Sequence, residues 1–208
     1  MTIVLRLGNA LMNLLDNTKK ADFLGPLALR TYLAPIFIIA GWNKLTALED
    51  TSYYFGEYLG LPAPMLMALM AGLAEFMGGI ALVFGLGLRL MTVPMMFTML
   101  VAAGTAHWEN GWHALPESTL TVPWEWRTDL IEGAQERKEM AKALLKEHGN
   151  YAWLTESGSI TILKNGIEFA ATYFIMLLVL LFTGAGRYCS VDYWIARAYR
   201  SRESISGE

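Results

Sequence analysis

The sequence predicts an all-α membrane protein: a polytopic four-helix bundle with an N-terminal interfacial helix and an extramembrane helical loop between its third and fourth spans. Three observations lead there. Only 17% of the 208 residues are charged and 54% are hydrophobic, whereas about a quarter of a soluble domain is charged. Four segments, about 27–48, 64–86, 88–108 and 166–185, reach the ~20 mostly apolar residues needed to cross a bilayer core about 30 Å thick. The stretches Arg30 to Lys44, Glu75 to Arg89, Arg89 to His107 and Glu168 to Arg187 enclose no ionisable side chain except Tyr32 and Tyr173. This partition argues against an ordinary soluble enzyme and a disordered chain, and the formal charge of -3 leaves no basic groove for nucleic acid.

Each element follows in chain order. Val4, Leu7, Leu11, Leu14 and Leu15 recur at helical spacing with no basic stretch before them, which reads as a surface-lying amphipathic helix and not a cleavable signal. The first span leads to a loop bearing Glu49, Asp50 and Glu57, and the second and third spans are joined by the tight turn Gly85-Leu86-Gly87-Leu88. Residues 109–164 form the long outer loop. Within it Leu130, Ile131, Ala134, Ala141, Leu144 and Leu145 mark a helix from Asp129 to His148, which Gly149-Asn150 stops. Trp108, Trp112, Trp124 and Trp126 flank that helix, and tryptophan's preference for membrane interfaces makes the loop an outer cap, with a substrate-contacting lid as the alternative. Lys19, Lys20 and Arg30 precede span one, Arg89 sits in the turn, and Arg187, Arg197, Arg200 and Arg202 follow span four. Four spans with both termini cytoplasmic put all of these on one face. No repeat or boundary divides the chain, so residues 1–208 are expected to form one domain.

A few charges remain at membrane depth, where each costs at least about 2.5 to 3.5 kcal/mol on insertion scales. Glu75 lies eleven residues into the second span, roughly 16 Å along it. Lys44, His107 and Glu168 stand near the outer ends of the other three. Lys44 and Glu75 differ in depth by about 10 Å, nearly within reach of two extended side chains, with Asn43 beside them. Two readings stand side by side. The groups neutralise one another and fix helix packing, or they form a ligand site with Glu75 as its proton-exchanging group. Arg30 and Arg89 are candidate ligand-binding groups too, although snorkelling to lipid phosphates accounts for them and for Arg187. The spacings Ala68/Gly72, Ala74/Gly78 and Gly166/Ala170 permit close helix approach.

Most cofactors find no support. Cys189 is the single cysteine, so no internal dithiol exists. A bis-histidine haem requires two intramembrane histidines, and only His107 is near the membrane, because His113 and His148 fall in the loop. Met91, Met95 and Met99 invite a copper relay with His107, yet steps of four residues put Met91 and His107 about 160° apart around the helix. Packing and lipid contact account for these methionines, and no metal site is expected. Glycine pairs such as Gly78-Gly79 lack the strand context of a phosphate loop.

Several motifs occur in order: Leu29-Arg30, Gly41-Trp42-Asn43-Lys44-Leu45, Ala74-Glu75-Phe76-Met77-Gly78-Gly79 through Gly85 and Arg89, and Gly184-Ala185-Gly186-Arg187-Tyr188 ending in Ser190-Val191-Asp192. In these the chain resembles the DoxX family of small four-span membrane proteins, over about residues 26–111 and 165–195. The resemblance implies a cytoplasmic-membrane protein of bacteria linked to redox metabolism, since some relatives are subunits of a thiosulfate:quinone oxidoreductase and others accompany quinone or thiol-stress defence. The long third loop, Gly149-Asn150-Tyr151 and Asn165-Gly166-Ile167-Glu168 resemble the HvfX-type branch, whose members accompany the making of copper-binding modified peptides. That similarity argues against thiosulfate as the substrate.

Two functions are expected on these grounds. One is a quinone-linked oxidoreductase or redox subunit, with an apolar slot between helices for the quinone ring and Glu75, Lys44, Asn43, His107 and Glu168 about its oxygens. The other is a non-catalytic membrane partner of a biosynthetic complex, engaged through the outer loop. A transport role would require an oligomer.

Overall fold

The computed structural model describes residues 8, 12 and 16–206. The N-terminal interfacial helix expected from Val4 to Leu15 falls almost wholly outside the described residues. Eight α-helices occur among them: α1 Leu24–Thr46, α2 Leu48–Tyr53, α3 Pro64–Phe84, α4 Leu88–Val101, α5 Ala134–His148, α6 Tyr151–Leu154, α7 Glu168–Thr183 and α8 Val191–Ser206. No strand appears among the described residues.

Three helical stretches are long and apolar enough to cross a membrane: Asp16–Thr46, Pro64–Phe84 and Leu88–Asn110. The last combines α4 with a π-helical turn, Ala102–His107, and a 3-10 turn, Trp108–Asn110. The fourth expected span differs in length. Helix α7 has 16 residues, about 24 Å at 1.5 Å per residue. It is shorter than 166–185 because Asn165 has a positive φ and Gly166 belongs to the loop before it, while Gly184 with φ +75° ends it. In the outer loop the expected helix from Asp129 begins at Ala134. Gly133, with φ +71°, separates it from a 3-10 turn at Thr128–Leu130.

The chain divides into two compact units. One holds the described residues up to Thr98 and from Ile175 onward, and the other is Met99–Phe174. Helices α4 and α7 contribute residues to both.

In the first unit α1 packs along α3, and α2 packs against α3. The buried positions show why. On α1 they are Arg30, Leu33, Ala34, Phe37 and Gly41, and on α3 they include Ala68, Gly72, Glu75, Gly79 and Leu82. Both sets step by three or four residues and so make one stripe per helix. Glycine sets how closely the stripes meet. A Cβ on Gly41 would lie 2.8 Å from the Gly72 carbonyl oxygen, and one on Gly79 would lie 2.7 Å from Ile38 Cγ1. Met95 of α4 fills the space in front of Gly78.

The end of this unit that carries the α3–α4 turn is fastened by motif residues. Arg30 is 2% exposed and donates to the carbonyls of Leu82 (2.7 Å), Val83 (2.8 Å), Ala185 (2.8 Å) and Cys189 (3.0 Å). The expectation that Arg30 snorkels to lipid phosphates is therefore corrected. Its guanidinium satisfies carbonyls that the end of α3 and the 184–189 turn would otherwise leave bare. Asp192 accepts from the N–H groups of Gly87 (2.7 Å) and Leu88 (3.2 Å) at the start of α4, where a carboxylate also meets the positive end of the helix dipole. Arg89 donates to Phe182 O at 3.1 Å, and Arg187 pairs with Asp22 at 2.6 Å. Arg30, Arg89 and Arg187 thus lie at one end of this unit.

In the second unit residues 111–114 run beside 165–168. Asn165 N–H bonds to Ala114 O (2.9 Å), Gly166 N–H to His113 O (3.0 Å), Ile167 N–H to Gly111 O (3.0 Å) and Glu168 N–H to Trp112 O (2.9 Å). A Cβ on Gly166 would lie 2.5 Å from the carbonyl oxygens of Gly111 and His113, so only glycine allows this approach.

Candidate functional site

The ion pair of Lys44 and Glu75 is the principal candidate. Gly41 and Lys44 are three residues apart on α1, and Gly72 and Glu75 are three apart on α3. The two helices run antiparallel: Gly41 abuts Phe76, a Cβ on Gly72 would lie 3.4 Å from Lys44 Cβ, and the long Lys44 side chain covers the one turn from there to Glu75. Lys44 Nζ donates to Glu75 Oε2 at 2.5 Å. The depth gap inferred from sequence is closed directly, without an intervening group. Asn43, expected between them, is exposed.

The two partners differ in their access to solvent. The Glu75 side chain is 4% exposed and that of Lys44 27%, so the pair has a closed carboxylate end and a more open ammonium end. A carboxylate and an ammonium at such a distance form a charge-assisted hydrogen bond, and the apolar stripe around Glu75 strengthens it by keeping water away. Trp42 and Phe76 place their rings 5.8 Å apart across the same α1–α3 seam. At Gly41, Gly72 and Gly79 the two helices are in direct contact.

The other expected site residues have partners of their own. His107 and Glu168 lie in the second unit. His107 Nδ1 contacts Asn165 O at 2.9 Å, and Glu168 Oε2 accepts from Ala114 N–H at 2.9 Å and lies 4.0 Å from His113 Nδ1. Arg30 and Arg89 belong to the fastened end of the first unit, with backbone carbonyls as their hydrogen-bond acceptors.

Of two further groups in the second unit, the sequence pointed to His113 only as a discarded haem ligand and did not single out Glu125. The Glu125 carboxylate has no exposed side-chain surface. It accepts from Lys164 Nζ (2.7 Å), Arg127 N–H (2.9 Å) and Trp112 N–H (3.2 Å). Burial alone would raise its pKa, but the Lys164 hydrogen bond, the two backbone N–H groups and the Lys164 charge together bring it down to about 2. His113, 6% exposed, sits between Glu117 Oε1 (3.3 Å from Nδ1) and Thr121 Oγ1 (3.1 Å from Nε2). The available signal for Glu125 is an acidic residue inside Val122-Pro123-Trp124-Glu125-Trp126, where an apolar setting demands a counter-charge. No group of three or more His, Cys, Asp or Glu side chains among the described residues is arranged to hold a metal ion.

Fold and site together define a multi-span helical membrane protein with a buried acid–base pair between its first two spans. Residues 25–108 match the DoxX family model. Two curated relatives are similar there. The "Inner membrane protein YqjF" of Escherichia coli (strain K12) is 38% identical over 85 residues, covering 40% of this chain and 63% of that protein. The "Putative oxidoreductase CatD" of Bacillus subtilis (strain 168) is 34% identical over 83 residues, covering 40% of this chain and 60% of that protein. The chain thus spans less than two thirds of the length of either relative. No solved structure matches it. Lys44, Glu75 and the glycines at their crossing all lie inside the matched segment.

Proposed function

We propose that the protein is a quinone-linked redox component of the bacterial cytoplasmic membrane, either an oxidoreductase or a subunit of one, with both termini on the cytoplasmic side. The observation that carries this reading is the Lys44–Glu75 pair, an acid and a base in hydrogen-bond contact inside an apolar helix seam. Reduction of a quinone ring consumes protons, and a membrane-embedded carboxyl beside an ammonium is a group able to exchange them with a ring oxygen. The quinone supplies the electron chemistry when bound. Lys44 orients a ring oxygen through its charge, Glu75 holds or releases the proton, and the surrounding apolar side chains exclude water. Similarity to a protein named as a putative oxidoreductase supports the same class.

The test is binding of a short-chain quinone to the purified protein, read as quenching of tryptophan emission, because Trp42 borders the seam. Glu75→Gln keeps the side-chain size and removes the exchangeable charge. The expected result is loss of at least about tenfold in affinity, worth about 1.4 kcal/mol, at an unchanged elution profile. Equal affinity in that variant would refute the role given to Glu75.

The outer loop favours a second reading, a non-catalytic partner in a biosynthetic complex for copper-binding modified peptides. Trp108, Trp124 and Trp153 are 50%, 57% and 69% exposed, and exposed tryptophans are common anchors of protein contacts. In that case quinone affinity is absent from the parent protein as well as from Glu75→Gln.

A further inference from the structure

The end of the first unit fastened by Arg30 also carries a cavity of about 830 Å³, formed by the start of α1, the start of α4, the 183–187 turn and one face of α8. Its charged lining is Asp22, Arg89, Arg187, Asp192 and Arg200. The two acids are already engaged, Asp22 with Arg187 at 2.6 Å and Asp192 with the Gly87 and Leu88 N–H groups. Among the described residues neither Arg89 nor Arg200 is ion-paired. The three arginines and two aspartates leave the lining one net positive charge, and the guanidinium groups of Arg89 and Arg200, outside any ion pair, offer N–H donors that suit the oxygens of a phosphate.

The rest of the lining is apolar and leads along the helix surface. Leu90 lines the cavity and is 72% exposed. Val93 and Phe97, three and seven residues further along α4, are 54% and 61% exposed. At that spacing they continue one face of a helix apolar enough to cross a bilayer. A phosphate held by Arg89 and Arg200 would thus have an acyl-chain path beginning at Leu90.

Helix α8, which lines the cavity, is amphipathic. Asp192, Tyr193, Ala196 and Arg200 face the cavity. Val191, Trp194, Ile195 and Tyr199, at positions i, i+3, i+4 and i+8, are 38%, 52%, 43% and 67% exposed. An exposed aromatic and aliphatic face on a helix that follows an apolar segment, with arginines on its other side, is the pattern of a helix lying in the headgroup region.

From these observations we infer a binding site for an anionic glycerophospholipid, its phosphate on Arg89 and Arg200 and one acyl chain along Leu90, Val93 and Phe97, with α8 lying in the interface beside it. A free phosphate would use the arginines alone. A lipid uses both parts.

The experiment is native mass spectrometry of the full chain in micelles doped with phosphatidylglycerol, with phosphatidylcholine, or with inorganic phosphate at the same concentration. The expected result is retained phosphatidylglycerol, little phosphatidylcholine, and no displacement of the lipid by inorganic phosphate. The Arg89→Gln/Arg200→Gln variant should lose about tenfold in phosphatidylglycerol affinity. Because Arg89 also bonds to Phe182 O, Arg200→Gln alone, on an exposed position of α8, is the second variant, with an expected loss of about threefold. Unchanged retention in both variants, equal retention of the two lipids, or displacement by inorganic phosphate would each overturn the inference.

Discussion

Removing one member of the Lys44–Glu75 pair should destabilise the protein far more than removing both. At the observed 2.5 Å and an effective dielectric of about 20, the gross attraction is about 7 kcal/mol. Much of this offsets the several kcal/mol needed to take each charge out of water. What remains exposed to mutation is the stranded partner, and the two partners differ. Lys44→Met leaves Glu75, 4% exposed at its side chain, with no counter-charge in a closed seam, and should cost about 3 to 5 kcal/mol. Glu75→Leu leaves a lysine already 27% exposed, whose flexible stem can carry the ammonium to water, so about 1 to 3 kcal/mol is expected. The double variant replaces the pair by apolar groups and should lie within about 2 kcal/mol of the parent. The assay is unfolding of each protein in mixed micelles by a denaturing detergent, followed by far-ultraviolet circular dichroism and analysed as a double-mutant cycle. Single effects that add to within about 0.5 kcal/mol would show no coupling and refute the argument. So would a larger cost for Glu75→Leu than for Lys44→Met, because it would reverse the order set by burial.

Two further outcomes follow from groups away from the pair. Glu125, held down to about 2 against about 4.3 in an unfolded chain, adds stability that is fully present above the unfolded value and is lost as pH falls through the folded one. At about 1.4 kcal/mol per tenfold change in proton affinity this is on the order of 3 kcal/mol. Tryptophan emission from Trp112 and Trp124, paired edge to face at 5.7 Å, should change between about pH 4 and pH 2, and this acid transition should disappear in Glu125→Gln. Arg30→Lys keeps the charge but loses the planar fork that serves four carbonyls. It should lower thermal stability by about 3 kcal/mol or more, and a loss below about 1 kcal/mol would show that those carbonyls find other donors.

The helices were legible because their signals are local. Apolar runs of about 20 residues and the Gly85 and Gly87 turn set the first three spans, and small residues on α3 pointed to close packing near Glu75. Partner choice was less legible. Lys44 and Glu75 are 31 residues apart, and helix rise indicates only that they come within reach, while the direct contact depends on Gly41 and Gly72 setting the interhelical distance. Arg30 looked like a lipid-facing cation because nothing in the neighbouring sequence shows that the carbonyls of Leu82, Val83, Ala185 and Cys189 converge on it. The Glu125–Lys164 pair joins residues 39 apart across an irregular loop, where no periodicity relates one position to another. The short α7 was hidden for a similar reason. Gly166 is apolar enough to extend a hydropathy window, yet it is occupied in pairing with residues 111–114.

The position of the acid–base pair bears on whether it serves chemistry or packing. The α1–α3 crossing is already fixed by contacts that need no charge: Gly41 against Phe76 and Gly72, Gly79 against Ile38, and Gly72 against Leu45. Arg30 independently ties the far end of α1 to the last carbonyls of α3. With register determined at both ends and in the middle, an apolar pair at positions 44 and 75 would give the same helix geometry without the cost of burying ions. The pair therefore adds little to specification of the fold. What it does add is an ion pair closed at Glu75 and more open at Lys44. Glu75→Gln therefore separates the proposed proton-exchanging role from packing, because that substitution removes the charge and leaves the glycine-set crossing untouched.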